Sequence, residues 1–128
     1  MNQEEHNLQC ACVKWFAYQH PELAGLLFAV PNGGARSKAT AGKLKAEGVV
    51  AGVADLILLK PHFRKGVYFS DMIPLDAYAL CIEMKTKKGY QSPEQKAWQA
   101  KVEDMGYKYV VIRSLDDFIN TIENYLKP

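Results

Sequence analysis

The apolar residues near the start of the chain recur at helical spacing. Residues 4–19 place apolar side chains at positions i, i+3, i+4, i+7 and i+8, which is the pattern of an amphipathic helix with one buried face. The residues of this face are Leu8, Ala11, Cys12, Trp15 and Phe16. Pro21 then predicts the end of the helix, because proline lacks a main-chain N–H and its ring clashes with the preceding turn.

Four apolar runs predict strands, since each is short and is bounded by glycine, proline or polar residues. They cover residues 26–30, 53–59, 77–85 and 107–113. The apolar content of the run at 53–59 predicts a central place in a sheet, and we expect the run at 77–85 to pair with it. Residues 62–76 follow no single period and predict an excursion that could hold a short strand at 67–69.

Capping signals predict three further helices. A largely polar helix is expected over residues 38–47, with Gly48 in the position that commonly ends helices. The stretch Ser92-Pro93-Glu94-Gln95 supplies an N-cap, a proline at the first helical position and the glutamine of a capping box. This helix should reach about residue 105, and the last one should cover 114–126. The order α-β-α-β-β-α-β-α indicates an α/β fold, and 128 residues fit one domain over 1–128.

The composition is that of a soluble globular protein, with 48% apolar and 23% charged residues. No run reaches the roughly 18 apolar residues of a membrane span, and the first residues lack the pattern of a signal peptide. We therefore expect a cytoplasmic protein without a membrane partner. Cys10, Cys12 and Cys81 form no CxxC pair and lie in apolar patterns, which predicts buried free thiols rather than a disulfide or a zinc site.

The net charge of +2 is too small to indicate a nucleic-acid binder by itself, so any basic surface must be local. Lysine and arginine cluster between residues 36 and 45 and again between residues 85 and 88. Such runs are usually solvated faces of a protein. Judged alone, the two clusters favour that ordinary explanation.

Two carboxylates interrupt the apolar strands. Asp55 lies in the run at 53–59 and Glu83 in the run at 77–85, where an unpaired carboxylate is costly unless a cation or hydrogen-bond donors compensate it. Lys85 projects from the same face of its strand as Glu83. Two carboxylates on adjacent strands, with a lysine beside them, can hold Mg²⁺ and orient a water for attack on a phosphodiester. The alternative is an exposed ExK triplet on an edge strand and an aspartate that begins a turn.

Longer stretches around these residues resemble one known family. The stretches are 31–36 (PNGGAR), 44–49 (LKAEGV), 52–56 (GVADL), 82–85 (IEMK) and 92–98 (SPEQKAW). Together and in this order they resemble the virus-type replication-repair nuclease (VRR-Nuc) domain of the PD-(D/E)xK superfamily. Ala54 stands where that family usually has proline, but Asp55 is kept. The excursion between Asp55 and Glu83 is also long for the family.

The resemblance implies a restriction-endonuclease-like core, with a mixed β-sheet flanked by helices, and a metal-dependent nuclease that acts on DNA. By the same resemblance, Asp55, Glu83 and the main-chain carbonyl of Met84 would bind Mg²⁺ or Mn²⁺. Lys85 would be the catalytic lysine, and Gln95 a further active-site residue on the helix that follows.

The family also carries an acidic residue in its first helix, for which Glu5 is our choice. Glu5 lies four residues before Gln9 and so on a shared side of the helix. Glu4 lies as close to the apolar stripe, and both residues could simply favour a helix N-terminus.

The DNA contacts that we predict combine a flexible turn with basic side chains, because glycine lets a backbone approach a phosphate closely and cations neutralise it. They are Asn32, Gly33, Arg36, Lys38 and Lys87. An ordinary turn at residues 31–34 is the alternative.

The function predicted from the sequence is that of a Mg²⁺- or Mn²⁺-dependent DNA endonuclease of a phage or mobile element. It would act in replication, recombination or repair on branched DNA, such as junctions or flaps, or on single strands, as a homodimer. A catalytically silent DNA-binding module that acts through a partner is one alternative, although intact Asp55, Glu83 and Lys85 argue against it. A Holliday-junction resolvase or a restriction-type enzyme is another.

Overall fold

The helices and strands follow the predicted order in the computed structural model, which describes residues 1–31, 37–64 and 74–127. The helices of these ranges are α1 (Gln3–Gln19), α2 (Lys38–Ala46), α3 (Pro93–Asp104) and α4 (Leu115–Leu126), with a 3₁₀ turn at Pro21–Leu23. The strands are β1 (Leu27–Ala29), β2 (Leu56–Leu58), β3 (His62–Phe63), β4 (Leu75–Ala77), β5 (Leu80–Met84) and β6 (Lys108–Ile112). The 3₁₀ turn, β3 and β4 were not predicted, and the short strand expected at 67–69 lies outside the described residues.

A four-stranded mixed sheet in the order β1-β2-β5-β6 organises the described residues. β2 pairs antiparallel with both β1 and β5, whereas β6 lies parallel to β5. A parallel pair needs a long crossover connection, and α3 provides it between β5 and β6. The central place predicted for the second apolar run is confirmed, as is its pairing with the strand that carries Glu83. β3 and β4 form a separate antiparallel pair.

The two faces of this sheet are unequal. One face, here the α1/α4 face, packs against α1 and α4 in a large apolar core. Its fully buried side chains include Leu56, Leu58, Leu80, Ile82, Met84, Ile112, Phe118 and Ile122. The opposite face, here the α3 face, carries a small buried cluster of Ala54, Cys81 and Tyr109, against which Trp98 and Val102 of α3 pack. Strand alternation places Glu83 on the α3 face, because it is two residues from Cys81.

The helix ends confirm the capping signals that were predicted from the sequence. The Ser92 side chain accepts a hydrogen bond from the Gln95 N–H, and the Gln95 side chain accepts one from the Ser92 N–H, which is a complete capping box. Ser114 caps α4 in a similar way, through the N–H of Asp117. Since α3 begins at this box, the cap also fixes where Gln95 lies relative to the sheet.

Both strands that carry the predicted site are shorter than expected. β2 begins at Leu56, so Asp55 precedes the strand instead of interrupting it, and β5 ends at Met84, so Lys85 follows it. The physical reason lies in one hydrogen bond: the Asp55 carboxylate accepts the main-chain N–H of Met84 at 2.7 Å. A side chain therefore occupies the donor that a continuing main-chain ladder between β2 and β5 would use.

Two further differences concern exposure. The prediction of buried thiols is confirmed for Cys12 and Cys81 and is wrong for Cys10, which is exposed because it lies off the apolar stripe of α1. The polar α2 has no buried residue, and Leu44 is half-buried. None of the helices within the described ranges is long and apolar enough to cross a membrane.

Candidate active site

The register of β2 and β5 brings the two predicted carboxylates together. The strands run antiparallel with Leu56 opposite Ile82, so the residue that precedes β2 lies beside the end of β5. Asp55 is held there at both ends: its carbonyl accepts the Val30 N–H at 2.9 Å, and its carboxylate accepts the Met84 N–H. The start of one central strand and the end of the other thus form the floor of the site.

Glu83 is the single charged side chain that is fully buried within the described residues, with 2% of its surface exposed. Its Oε2 accepts a hydrogen bond from Gln95 Nε2 at 3.0 Å, and its Oε1 accepts one from the Tyr109 hydroxyl at 3.3 Å. The ammonium of Lys85 lies 3.9 Å from Oε2, and the Lys85 side chain is 12% exposed. Hydrogen bonds from α3 and β6, together with the Lys85 ammonium, therefore fix the orientation of one carboxylate.

The surroundings of Glu83 disfavour its charged form. Burial raises the pKa of the Glu83 carboxyl well above its ordinary value, and the hydrogen bond and the negative charge of Asp55 raise it further. Lys85 and Tyr109 act in the opposite direction and do not outweigh these effects. Two neighbouring carboxyls in such a place cannot both ionise readily unless a cation compensates them.

A cleft of about 760 Å³ opens above this pair. Its lining includes Asp55, Glu83, Met84, Lys85 and Gln95, so the structure brings together every residue that was predicted for the centre of the site. The buried Oε1 of Gln9, which also lines the cleft, has no hydrogen-bond partner among the described residues. An oxygen of this kind normally binds a water or an ion, because buried polar atoms are almost always paired.

The donor set of the cleft fits a magnesium-like ion. No three side chains of the His, Cys, Asp and Glu types converge on a metal position within the described ranges. The ligands that the family resemblance implied are the carboxylates of Asp55 and Glu83 and the carbonyl of Met84. All three are oxygen donors, and Mg²⁺ commonly uses one or two carboxylates and completes its shell with water and substrate oxygens.

Comparison with known proteins agrees with this geometry. The model of the VRR-NUC domain family matches residues 1–116 of the chain. The chain belongs to the VRR-NUC family. A solved structure described as a VRR_NUC domain protein has a TM-score of 0.76, with 25% sequence identity over 98% of this chain and 90% of that one. No curated protein sequence matches the chain.

Membership confirms the resemblance that the sequence stretches indicated, and with it a nuclease family. The structural likeness confirms the fold class: a mixed sheet flanked by helices, consistent with a restriction-endonuclease-like core. The roles of individual VRR-NUC residues stay predictions, and their placement follows.

Glu5 lines the cleft of the VRR-NUC site, whereas Glu4 lines a different cleft beside it. The Glu5 carboxylate also accepts the Asn2 N–H at 3.2 Å and so completes the capping box of α1. Its position favours Glu5 over Glu4 as the acidic residue of the first helix. Its part in metal binding stays a prediction.

The predicted DNA contacts fall in three places. Asn32, Gly33 and Arg36 lie outside the described residues. Lys38 is the exposed first residue of α2 and does not line the cleft above Asp55. Lys87 lines the neighbouring cleft, which it shares with Lys85.

Gly52 lets the loop before Asp55 approach α3 closely. Its φ is 87°, in the left-handed region, and a Cβ at this position would clash with the main-chain carbonyl of Glu94. The loop that leads to Asp55 therefore lies directly against the N-terminus of the helix that carries Gln95.

Two residues at or beside the site were given no role by the sequence analysis. Tyr109 was predicted only as a sheet residue, yet its hydroxyl donates to Glu83 and accepts from Gln91 Nε2 at 3.3 Å. The Arg113 guanidinium donates to the carbonyls of Thr86 and Gly89 at 2.6 and 2.8 Å. The period-two alternation of β6 puts Tyr109 and Val111 on one face, but only the register with β5 identifies that face as the one that carries Glu83.

Proposed function

We propose that this VRR-NUC chain is a metal-dependent endonuclease that hydrolyses phosphodiester bonds in DNA. The observation that carries the proposal is the pair of adjoining carboxyls, Asp55 and Glu83, at the floor of a cleft with Lys85 beside them. A buried carboxyl beside a half-buried one opposes folding in the absence of a compensating cation, and two such carboxyls can bind a divalent cation.

Asp55, Glu83 and the Met84 carbonyl would hold the ion, Mg²⁺ or Mn²⁺. When bound, such an ion supplies Lewis-acid assistance to the attacking water and neutralises negative charge on the phosphate. Hydrogen bonds within the protein orient both carboxylates. The Met84 N–H donates to one oxygen of Asp55, and Gln95 and Tyr109 donate to the two oxygens of Glu83.

Lys85 would act on the reacting groups. Its ammonium lies near Glu83, and its side chain lines the cleft and is 12% exposed. From this position it can orient a water and stabilise the charge that grows on the phosphate oxygens. Gln95 would act through Glu83, since its amide donates to that carboxylate and its carbonyl oxygen is engaged in the helix cap.

We extend the proposal to branched DNA, such as a flap or a junction, processed by a homodimer in the cytoplasm during phage or mobile-element replication, recombination or repair. The support for this extension is family membership. The support for the chemistry is the geometry of the site.

A cleavage panel tests the proposal. Linear duplex, single strand, flap and four-way junction are each incubated with Mg²⁺, Mn²⁺ or a chelator. We expect cleavage with metal only, fastest on one of the branched substrates, and its loss in Asp55→Asn. Uniform cleavage of all substrates would contradict the branched-DNA extension alone. Asp55→Asn as active as wild type would contradict the assigned site.

Binding without cleavage in Mn²⁺ would instead support a silent DNA-binding module. In that case the nuclease proposal fails.

A further inference from the structure

A second cleft adjoins the active site and is basic. Its volume is about 530 Å³, and its lining includes Lys85, Thr86, Lys87, Lys88 and Arg113, with Glu4 as its one acidic residue. We call it the basic cleft. Lys85 lines both this cleft and the one above Asp55, so the two clefts adjoin at this side chain.

The positive charge of the basic cleft is largely uncompensated. Lys85 is paired with Glu83, but no ion pair among the described residues includes Lys87, Lys88 or Arg113. The Nη1 of Arg113 donates hydrogen bonds to main-chain carbonyls. These carbonyls are neutral, so they do not cancel the charge of the guanidinium. Lys87 and Lys88 are exposed, so their ammonium groups are available to an anion that enters the cleft.

The same carbonyl contacts fix the shape of the cleft. Arg113 comes directly after β6 and reaches the turn that follows Lys85, where it donates to Thr86, Lys87 and Gly89. The turn is therefore tied to the sheet instead of moving freely. Because the turn is already ordered, Lys87 and Lys88 should lose less conformational entropy when they bind a ligand than two lysines on a mobile loop would lose.

We propose that the basic cleft binds a phosphate of the DNA strand next to the scissile phosphodiester. The inference rests on the proposed nuclease function, because it needs a polyanion that already lies in the first cleft. A DNA strand carries one phosphate per nucleotide, so a strand seated over Asp55 and Glu83 continues past Lys85 with further negative charges. Cations at such a place position the strand without reading its sequence.

The decisive variant is Lys87→Gln/Lys88→Gln, because both side chains lie in the basic cleft and carry no described structural contact through their ammonium groups. The matched control is Lys14→Gln/Lys101→Gln, which removes the same charge from exposed positions on α1 and α3 that line neither cleft. Binding of short labelled DNA, single-stranded and duplex, is measured by fluorescence anisotropy in chelator over a range of salt concentrations.

We expect the double variant to bind DNA about tenfold more weakly at moderate salt, with the slope of log Kd against log salt reduced by about 1 to 2. The control should lose much less. Equal losses in the two variants would overturn the basic cleft as a DNA-binding site.

A second measurement separates this inference from the proposed function. With Mn²⁺, cleavage of a DNA oligonucleotide is compared with hydrolysis of bis(4-nitrophenyl) phosphate, a minimal diester without a flanking phosphate. The loss in the double variant should be much larger on the oligonucleotide, and an equal loss on both would overturn the inference. If wild type cleaves neither substrate but the binding difference holds, the nuclease proposal fails while the anion site stands.

Discussion

The two faces of the central sheet use the same strands for opposite purposes. On the α1/α4 face, alternate residues of β2, β5 and β6 meet two helices in a continuous apolar core. On the α3 face, the residues between them supply Glu83 and Tyr109, with only a small cluster of buried apolar side chains. This difference indicates that the VRR-NUC domain obtains its stability mainly from the α1/α4 face. The α3 face can therefore contain a buried carboxyl beside Asp55, although this pair is unfavourable for folding.

The strongest test of this comparison removes the buried charge of the α3 face. Glu83→Gln keeps the size of the side chain but removes a carboxylate, so we expect cleavage to fall by about 10³-fold. In chelator the thermal midpoint should stay the same or rise, because the free-energy cost of burying an ionisable carboxyl beside Asp55 disappears. Differential scanning calorimetry and the cleavage assay measure the two effects.

Metal supplies the control for Glu83→Gln. Addition of Mg²⁺ should raise the midpoint of wild type by mass action and leave that of the variant nearly unchanged. A variant less stable than wild type in chelator would show that Glu83 contributes to folding, and the contrast between the two faces would then be wrong.

The second test removes packing from the α1/α4 face. Phe118 is fully buried and meets Trp15 edge to face at 5.9 Å between ring centroids. Phe118→Ala should lower the free energy of unfolding by about 3–5 kcal/mol, through lost transfer free energy and the cavity that remains. Urea unfolding measures it.

The DNA-cleavage activity of the same variant tests whether the loss of stability affects the site. The fraction of Phe118→Ala that is folded should cleave DNA at nearly the wild-type rate, since the substitution does not reach Asp55 or Glu83. If Phe118→Ala does not fold, the same measurement is made on Phe118→Leu, which removes less side-chain volume. A large fall in the activity of folded protein would show that the two faces are coupled.

The third test concerns Tyr109, which acts on the α3 face through Glu83. Tyr109→Phe keeps the ring in its apolar cluster and removes the donor to Glu83 Oε1. We expect metal affinity about tenfold lower, as is typical when a group that orients a metal ligand is lost. Mn²⁺ titration followed by calorimetry measures this directly, without reference to turnover.

A fall in stability alone would assign Tyr109 to packing. Tyr107→Phe is the matched control, because Tyr107 is exposed and its ring lies against Tyr78 away from the site. It should leave the affinity for Mn²⁺ unchanged.

These residues also show what the sequence could predict. Apolar periodicity and capping residues locate the helices and strands, because both depend on near neighbours in the chain, as Ser92 and Gln95 illustrate. Asp55 and Glu83 were predicted because a carboxylate within an apolar run is unusual and is costly to bury without a partner. Their mutual contact required only that β2 and β5 pair.

Tyr109 and Arg113 could not be found in this way. Each uses a residue type that is ordinary for its strand, and each acts on a partner that is distant in sequence. Their roles depend on the parallel register of β5 and β6, which no local pattern encodes. The late start of β2 was missed for a related reason, since it follows from the hydrogen bond between the Asp55 side chain and Met84.

The smallest effect that we predict is a difference in cysteine reactivity, which samples the two faces without changing either. Cys10 is exposed, Cys12 is buried in the α1/α4 face, where burial raises the pKa of its thiol to about 12, and Cys81 is buried in the α3 face. In native protein, Cys10 should react with a disulfide reagent at once. The two buried thiols should react only as the structure opens around them.

Because the cluster around Cys81 is much smaller than the core around Cys12, the α3 face should open more readily, and Cys81 should be modified severalfold faster than Cys12. Cys10→Ser removes the fast phase, and mass spectrometry of the digested protein assigns the remaining two. Equal rates would mean that both thiols become accessible only through global unfolding. The two faces would then form one cooperative unit. The small number of apolar side chains on the α3 face would in that case not lower its local stability.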